Sequence, residues 1–148
     1  MLFGDYSTRD LFVEHLEVQR RRLGFDVFAY VVMPEHVHLV VLPRDGKIGP
    51  VLRGIKQGFG QRMIRLFRDR EDPVLESIED SDGIVRFWQR GGGHDRNVRD
   101  DEAMRSHIEY IHFNPVKRGL VERGVHWKWS SARDYAGESG VVEIRKCW

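Results

Sequence analysis

The chain has 148 residues, 41% of them hydrophobic and 32% charged, with a formal net charge of +1. That length suits one domain around one core, expected over 1–148 with 120–148 as an irregular C-terminal wrap. No run approaches the roughly 20 apolar residues of a membrane span. The start, MLFGDYSTRD, lacks the basic and apolar regions of a signal peptide. A single cysteine, Cys147, excludes an internal disulfide, so the cytoplasm is the expected compartment.

Residues 8–23, TRDLFVEHLEVQRRRL, predict a helix capped by Thr8 or Asp10 and closed by Gly24. FDVFAYVV (25–32) is β-branched and aromatic and predicts a strand, and HVHLVVL (36–42) predicts a second. The short MPE connection between them predicts an antiparallel hairpin. After a loop from Pro43 to Pro50, residues 51–68 place Val51, Ile55, Phe59, Met63 and Phe67 four apart, the spacing of an amphipathic helix. Its Gly54, Gly58 and Gly60 each weaken helicity by roughly 1 kcal/mol and are expected to admit another backbone, or DNA. Residues 69–83 read as a polar loop, IVRFWQ (84–89) as a short strand, and GGG (91–93) as backbone free of side-chain constraint. A helix is expected from Asp100 towards Asn114-Pro115. The order helix–strand–strand–helix–strand–helix is that of an α+β ferredoxin-like sandwich without its opening strand, an antiparallel sheet with helices on one face.

The near-neutral charge is unevenly distributed. Arg53, Lys56, Arg62, Arg65 and Arg68 fall together with no acid among them, an acidic stretch from Glu71 to Asp82 follows, and Arg86, Arg90, Arg96 and Arg99 come next. Such segregation suits phosphate binding on one face, or equally a solvated helix surface.

His36 and His38 stand two apart in a strand, so both imidazoles leave the same face. Two such groups either share a metal or are simply hydrogen-bonded surface residues. A third donor is available in HIEYIHFNP (107–115), where Tyr110 and Asn114 are four apart and share a helix face. Asn114 offers a carbonyl oxygen suited to a hard divalent ion. Tyr110 offers a phenol that needs a metal or base to become a nucleophile. His107, Glu109 and His112 read as lying on other faces, with ordinary solvation as their role.

YVVMPEHVHLVV (30–41) and YIHFNPVKRGLV (110–121), about 70 residues apart, together resemble the single-tyrosine HUH transposases, most closely the REP-associated tyrosine transposase branch. RFWQRGGGHDRNVRDDE (86–102) and WKWSSARDYAG (127–137) are similar to the same branch. The resemblance implies a metal-dependent transposase and nickase that cuts and rejoins single-stranded or hairpin DNA, REP-like repeats included, through a 5′-phosphotyrosine. It implies His36 and His38 as metal ligands with Asn114 in the third position, and Tyr110 as the nucleophile. Mg²⁺ or Mn²⁺ is the implied ion, imidazole favouring Mn²⁺ at least as much. Glu35 is positioned to orient a ligand or a bound water.

DNA binding then falls to Arg53, Lys56, Arg62, Arg65, Arg90, Arg96 and Arg99, with the protein associated with the nucleoid. Phe87, Trp88, Trp127 and Trp129 read as core first and as stacking platforms for bases second. Members of the family begin with a strand before the first helix, for which MLFGDYSTRD leaves almost no room. The first strand therefore reads as truncated, Leu2-Phe3 giving a stub. The expected consequence is unpaired backbone and an exposed apolar face, in a monomer or homodimer. Two further readings remain: a DNA-hairpin-binding protein of that family without cleavage, and a two-histidine metallohydrolase in which Tyr110 is dispensable.

Overall fold

A computed structural model of the chain describes residues 3–90, 93 and 95–148. The first helix, α1 (Tyr6–Leu23), starts earlier than its periodicity indicated because Asp5 is the cap, its carboxylate accepting the Ser7 N–H at 3.0 Å. Gly24 closes it at φ 67°, a backbone conformation that disfavours any side chain. The chain turns directly into β1 (Phe25–Val32), then through Pro34-Glu35 into β2 (Val37–Pro43), the expected antiparallel hairpin. The register shifts between Val27 and Ala29, a bulge at Phe28.

Helix α2 (Ile48–Asp69) buries Val51, Ile55, Phe59, Met63 and Phe67 on one stripe. Its glycines admit side chains of this chain rather than DNA. A Cβ at Gly54 would lie 2.7 Å from Leu23 Cδ1, one at Gly58 3.3 Å from His15 and one at Gly60 3.2 Å from the Trp88 ring. Close approach of α1 and α2 thus offsets the glycines' cost to helicity. A short helix, α3 (Val74–Ser77), occupies the expected loop. Residues 84–89 do not form the expected strand, and Val85 makes only an isolated bridge to Glu79. This segment runs beside α2 rather than along a sheet edge. Phe87 enters an aromatic cluster with Phe3 and Phe59, and Trp88 Nε1 donates to Lys56 O at 2.6 Å. Strand propensity without a partner edge yields no strand.

Helix α4 (Asp101–Lys117) is capped by Asp100 and carries Pro115 in its last turn, where its missing N–H withholds one helical bond, from the carbonyl of Ile111, and the helix ends two residues later. The C-terminal wrap, with a 3-10 turn at Gly124–His126 and the short helix α5 (Ala132–Tyr135), covers the second edge of β1. Ser131 exchanges bonds with Tyr30, Trp129 O accepts the Val32 N–H, Trp127 Nε1 donates to Val32 O, and Arg145 N–H reaches Val27 O. Tyr135 Oη donates to Phe28 O at 2.9 Å, satisfying the carbonyl that the bulge leaves free. β1 is therefore paired on both edges, by β2 and by the wrap, and seven of its eight residues are buried.

Met1 and Leu2 lie outside the described residues. Phe3 is 2% exposed, bonds Pro34 O through its N–H and packs among Phe12, Phe59 and Phe87, so the apolar surface there is covered rather than exposed. Arg9, also buried, donates to Phe3 O and lies 4.3 Å over Trp129, tying the start of the chain to the wrap. The outer edge of β2 pairs with no strand among the described residues. No helix of the described residues is long and apolar enough to cross a membrane.

Candidate metal and tyrosine site

The hairpin register places His38 opposite Val31 with His36 at the turn, and alternation sends both side chains to one face. Their Nε2 atoms converge to 2.9 Å, with the rings nearly perpendicular. Two nitrogens at that separation match adjacent ligands of an octahedral ion with bonds of about 2.1 Å. Burial, followed by the charges of His36 and His107, holds the His38 imidazole down at about 4, so its lone pair is free at neutral pH. The donor set fits a divalent ion at two positions.

Beyond the turn, Glu35 Oε1 lies 3.6 Å from His36 Nδ1 and pairs with Arg118 Nη1. At 3.6 Å Glu35 is beyond hydrogen-bonding distance of Nδ1, but its charge faces that side of the ring while Nε2 faces His38.

Tyr110 lies on α4, 52% exposed, with Lys117 Nζ 5.8 Å from its ring centroid. It opens onto a cleft of about 480 Å³ lined also by Arg96, Asn97, Val98, Ala103, Ser106 and His107. His107 does not point away from the site, as its sequence position suggested. Three residues before Tyr110, it shares that helix face. Its ring lies 6.4 Å from the tyrosine ring and nearly parallel to it, and its charge bears on His38. His107 therefore belongs to the tyrosine's cleft, and the i, i+3 spacing was the signal that could have found it. Its own imidazole is held low by burial and by Arg96.

Asn114 is the weakest member of the expected set. It is 9% exposed, and its amide nitrogen donates to Tyr110 O at 3.3 Å within the same helix. Among the described residues, no three His, Cys, Asp or Glu side chains gather as a metal site. His112 turns inward instead, its Nε2 2.7 Å from Ser131 Oγ, and burial holds it down at about 4.

The expected DNA-contacting residues divide. Arg53, Arg62 and Arg65 are exposed along α2, and Lys56 is half-buried near Trp88. Arg96 lines the tyrosine cleft and Arg99 is exposed beside it. Arg90 is engaged by Asp82 at 3.1 Å and Asp80 at 3.7 Å, so acids on the preceding loop compete for it. Phe87, Trp127 and Trp129 are 3%, 7% and 6% exposed and belong to the core, which removes them as stacking platforms. Gly91 and Gly92 of the triglycine lie outside the described residues.

No family model matches the chain. Over 109 residues, 72% of the chain, it is 29% identical to a protein of Haemophilus influenzae named as a REP-associated tyrosine transposase. Over 118 residues, 78% of the chain, it is 30% identical to the REP-associated tyrosine transposase of Escherichia coli. Those alignments cover 58% and 59% of the two relatives, so the chain spans less than two thirds of their length. A solved structure of a REP-associated tyrosine transposase bound to a REP hairpin superposes with a TM-score of 0.63 at 24% identity, covering 96% of the chain and 77% of that structure. The α+β hairpin-and-helix arrangement is therefore that of the ferredoxin-like fold expected from the element order. In sequence the chain is similar to REP-associated tyrosine transposases, and it shares its fold with one of them.

Proposed function

We propose that the chain is a metal-dependent nickase and strand transferase acting on single-stranded or hairpin DNA, with Tyr110 as nucleophile. The observation that carries this reading is the convergence of His36 and His38 Nε2 to 2.9 Å, with Tyr110 exposed on a separate helix at a cleft that Arg96 and His107 also line. His36 and His38 would hold Mg²⁺ or Mn²⁺, with Asn114 as third donor once its side chain leaves the helix backbone. The ion supplies Lewis-acid polarisation of the scissile phosphate. Arg96 binds the phosphate within the cleft, and the exposed arginines of α2 bind flanking backbone with a steep salt dependence. Tyr110 Oη gives its proton to water and attacks phosphorus, the bond from phosphorus to the 3′ oxygen breaks, and that oxygen leaves as a hydroxyl after taking a proton from water. The 5′-phosphotyrosine retains the energy of the phosphodiester, so attack by another 3′-hydroxyl reverses the step and joins strands.

Incubation with Mn²⁺ and a labelled single-stranded hairpin tests this. A covalent adduct that Tyr110→Phe abolishes is the expected result, and tight binding with no adduct would overturn it. The second reading, hairpin binding without cleavage, draws on Asn114, which is 9% exposed with its amide nitrogen bonded to Tyr110 O in its own helix. The same assay separates the two.

A further inference from the structure

We propose that Arg118 is a positioning residue that acts through Glu35 on His36 and so couples the tyrosine helix to the metal-ligating pair. The inference rests on the reading of His36 and His38 as ligands. It goes beyond that reading by assigning work to a residue outside the site.

Arg118 caps the C-terminus of α4, its N–H bonded to Asn114 O at 3.0 Å. Its guanidinium pairs across the fold with Glu35 Oε1, 83 residues earlier in the chain. The same carboxylate oxygen lies 3.6 Å from His36 Nδ1, and His36 Nε2 is the atom that meets His38. A continuous line of contacts thus runs from the end of the helix bearing Tyr110 to the candidate ligands.

Glu35 is held on both sides. It follows Pro34, whose ring restricts its φ and whose carbonyl accepts the Phe3 N–H. Arg118 then fixes the side chain. At 3.6 Å the carboxylate acts on the ring through its charge, which favours the tautomer with the proton on Nδ1 and the lone pair on Nε2 towards the metal position. Without Arg118, Glu35 is free to swing into solvent and His36 loses its fixed tautomer and orientation. Arg118 is 53% exposed on its side chain, so its removal should leave the core intact.

The test is calorimetric titration of Mn²⁺ into the full chain, with electron paramagnetic resonance of bound Mn²⁺ and near-ultraviolet circular dichroism to verify the fold of each variant. Arg118→Ala and Glu35→Gln should each weaken binding about tenfold, the lower end of what outer partners of metal ligands contribute. The double variant should be no weaker than either single one, and Arg118→Lys should recover part of the loss. Unchanged Mn²⁺ affinity in Arg118→Ala, or fully additive losses in the double variant, would overturn the inference while leaving the metal site standing. A wild-type chain that binds no Mn²⁺, or a His36→Ala variant that binds as well as wild type, removes the metal reading and this inference with it.

Discussion

Replacing Glu17 by Gln tests how the C-terminal wrap is held on α1. Glu17 is 7% exposed, and its carboxylate accepts four bonds: two from Arg20 at 2.8 and 2.9 Å, one from Arg21 at 2.7 Å and one from the Glu143 N–H at 3.1 Å. The Arg20 bond is the largest cause holding this carboxyl at about 2 instead of 4.5. At about 1.4 kcal/mol per tenfold, that depression sets a ceiling of about 3.5 kcal/mol. Arg21 is 74% exposed, and water and salt screen its share, so about 1–2 kcal/mol is expected at pH 7. The sign follows from proton uptake. Between pH 4.5 and 2 the unfolded chain binds a proton at Glu17 that the folded chain does not. The stabilisation is therefore complete above about pH 4.5 and is lost as pH falls through about 2. Urea denaturation of wild type and Glu17→Gln at pH 7, 5, 4 and 3 measures the difference. It should be largest at pH 7 and shrink below pH 4.5. A difference under about 0.3 kcal/mol at pH 7, or one that stays constant down to pH 3, refutes the reasoning.

His112 should act in the same direction over a higher range. Burial holds it down at about 4, so below pH 6.5 the unfolded chain takes up a proton that the folded chain refuses, and stability falls until about pH 4. His112→Gln should flatten that acid loss by about 1–2 kcal/mol, read by thermal or urea melts from pH 7 to 4.5; an unchanged slope would contradict it. Gly124→Ala should destabilise the chain by about 1–3 kcal/mol, because a Cβ there would lie 2.7 Å from His112 O, a backbone atom that cannot turn aside. An unchanged denaturation midpoint would show that the 3-10 turn yields at little cost.

The hairpin and the helix ends were legible in local pattern. β-Branched and aromatic composition over 25–32, an alternating start to 36–42, a proline between them and Gly24 before them specify two strands and a tight turn without help from the rest of the chain. The same alternation puts His36 and His38 on one face, and helical spacing puts Tyr110 on a helix. These are short-range consequences of backbone geometry, which is why the sequence by itself determined them.

The remainder depended on contacts between distant segments. Residues 84–89 have strand composition, yet Phe87 and Trp88 find an aromatic pocket beside α2 before any sheet edge, and no strand forms. Residues 120–148 read as an irregular wrap, and only their position on β1 shows that they satisfy its second edge and the bulged Phe28 carbonyl. Asn114 has the right spacing from Tyr110, but its burial and its bond to the helix backbone are set by what packs against α4. His107 was the opposite case, its place beside Tyr110 readable from a three-residue spacing and passed over. The pairing of Glu35 with Arg118 joins residues 83 apart. Periodicity reports which face a side chain takes on its own element, whereas only the packed chain decides which other element that face meets.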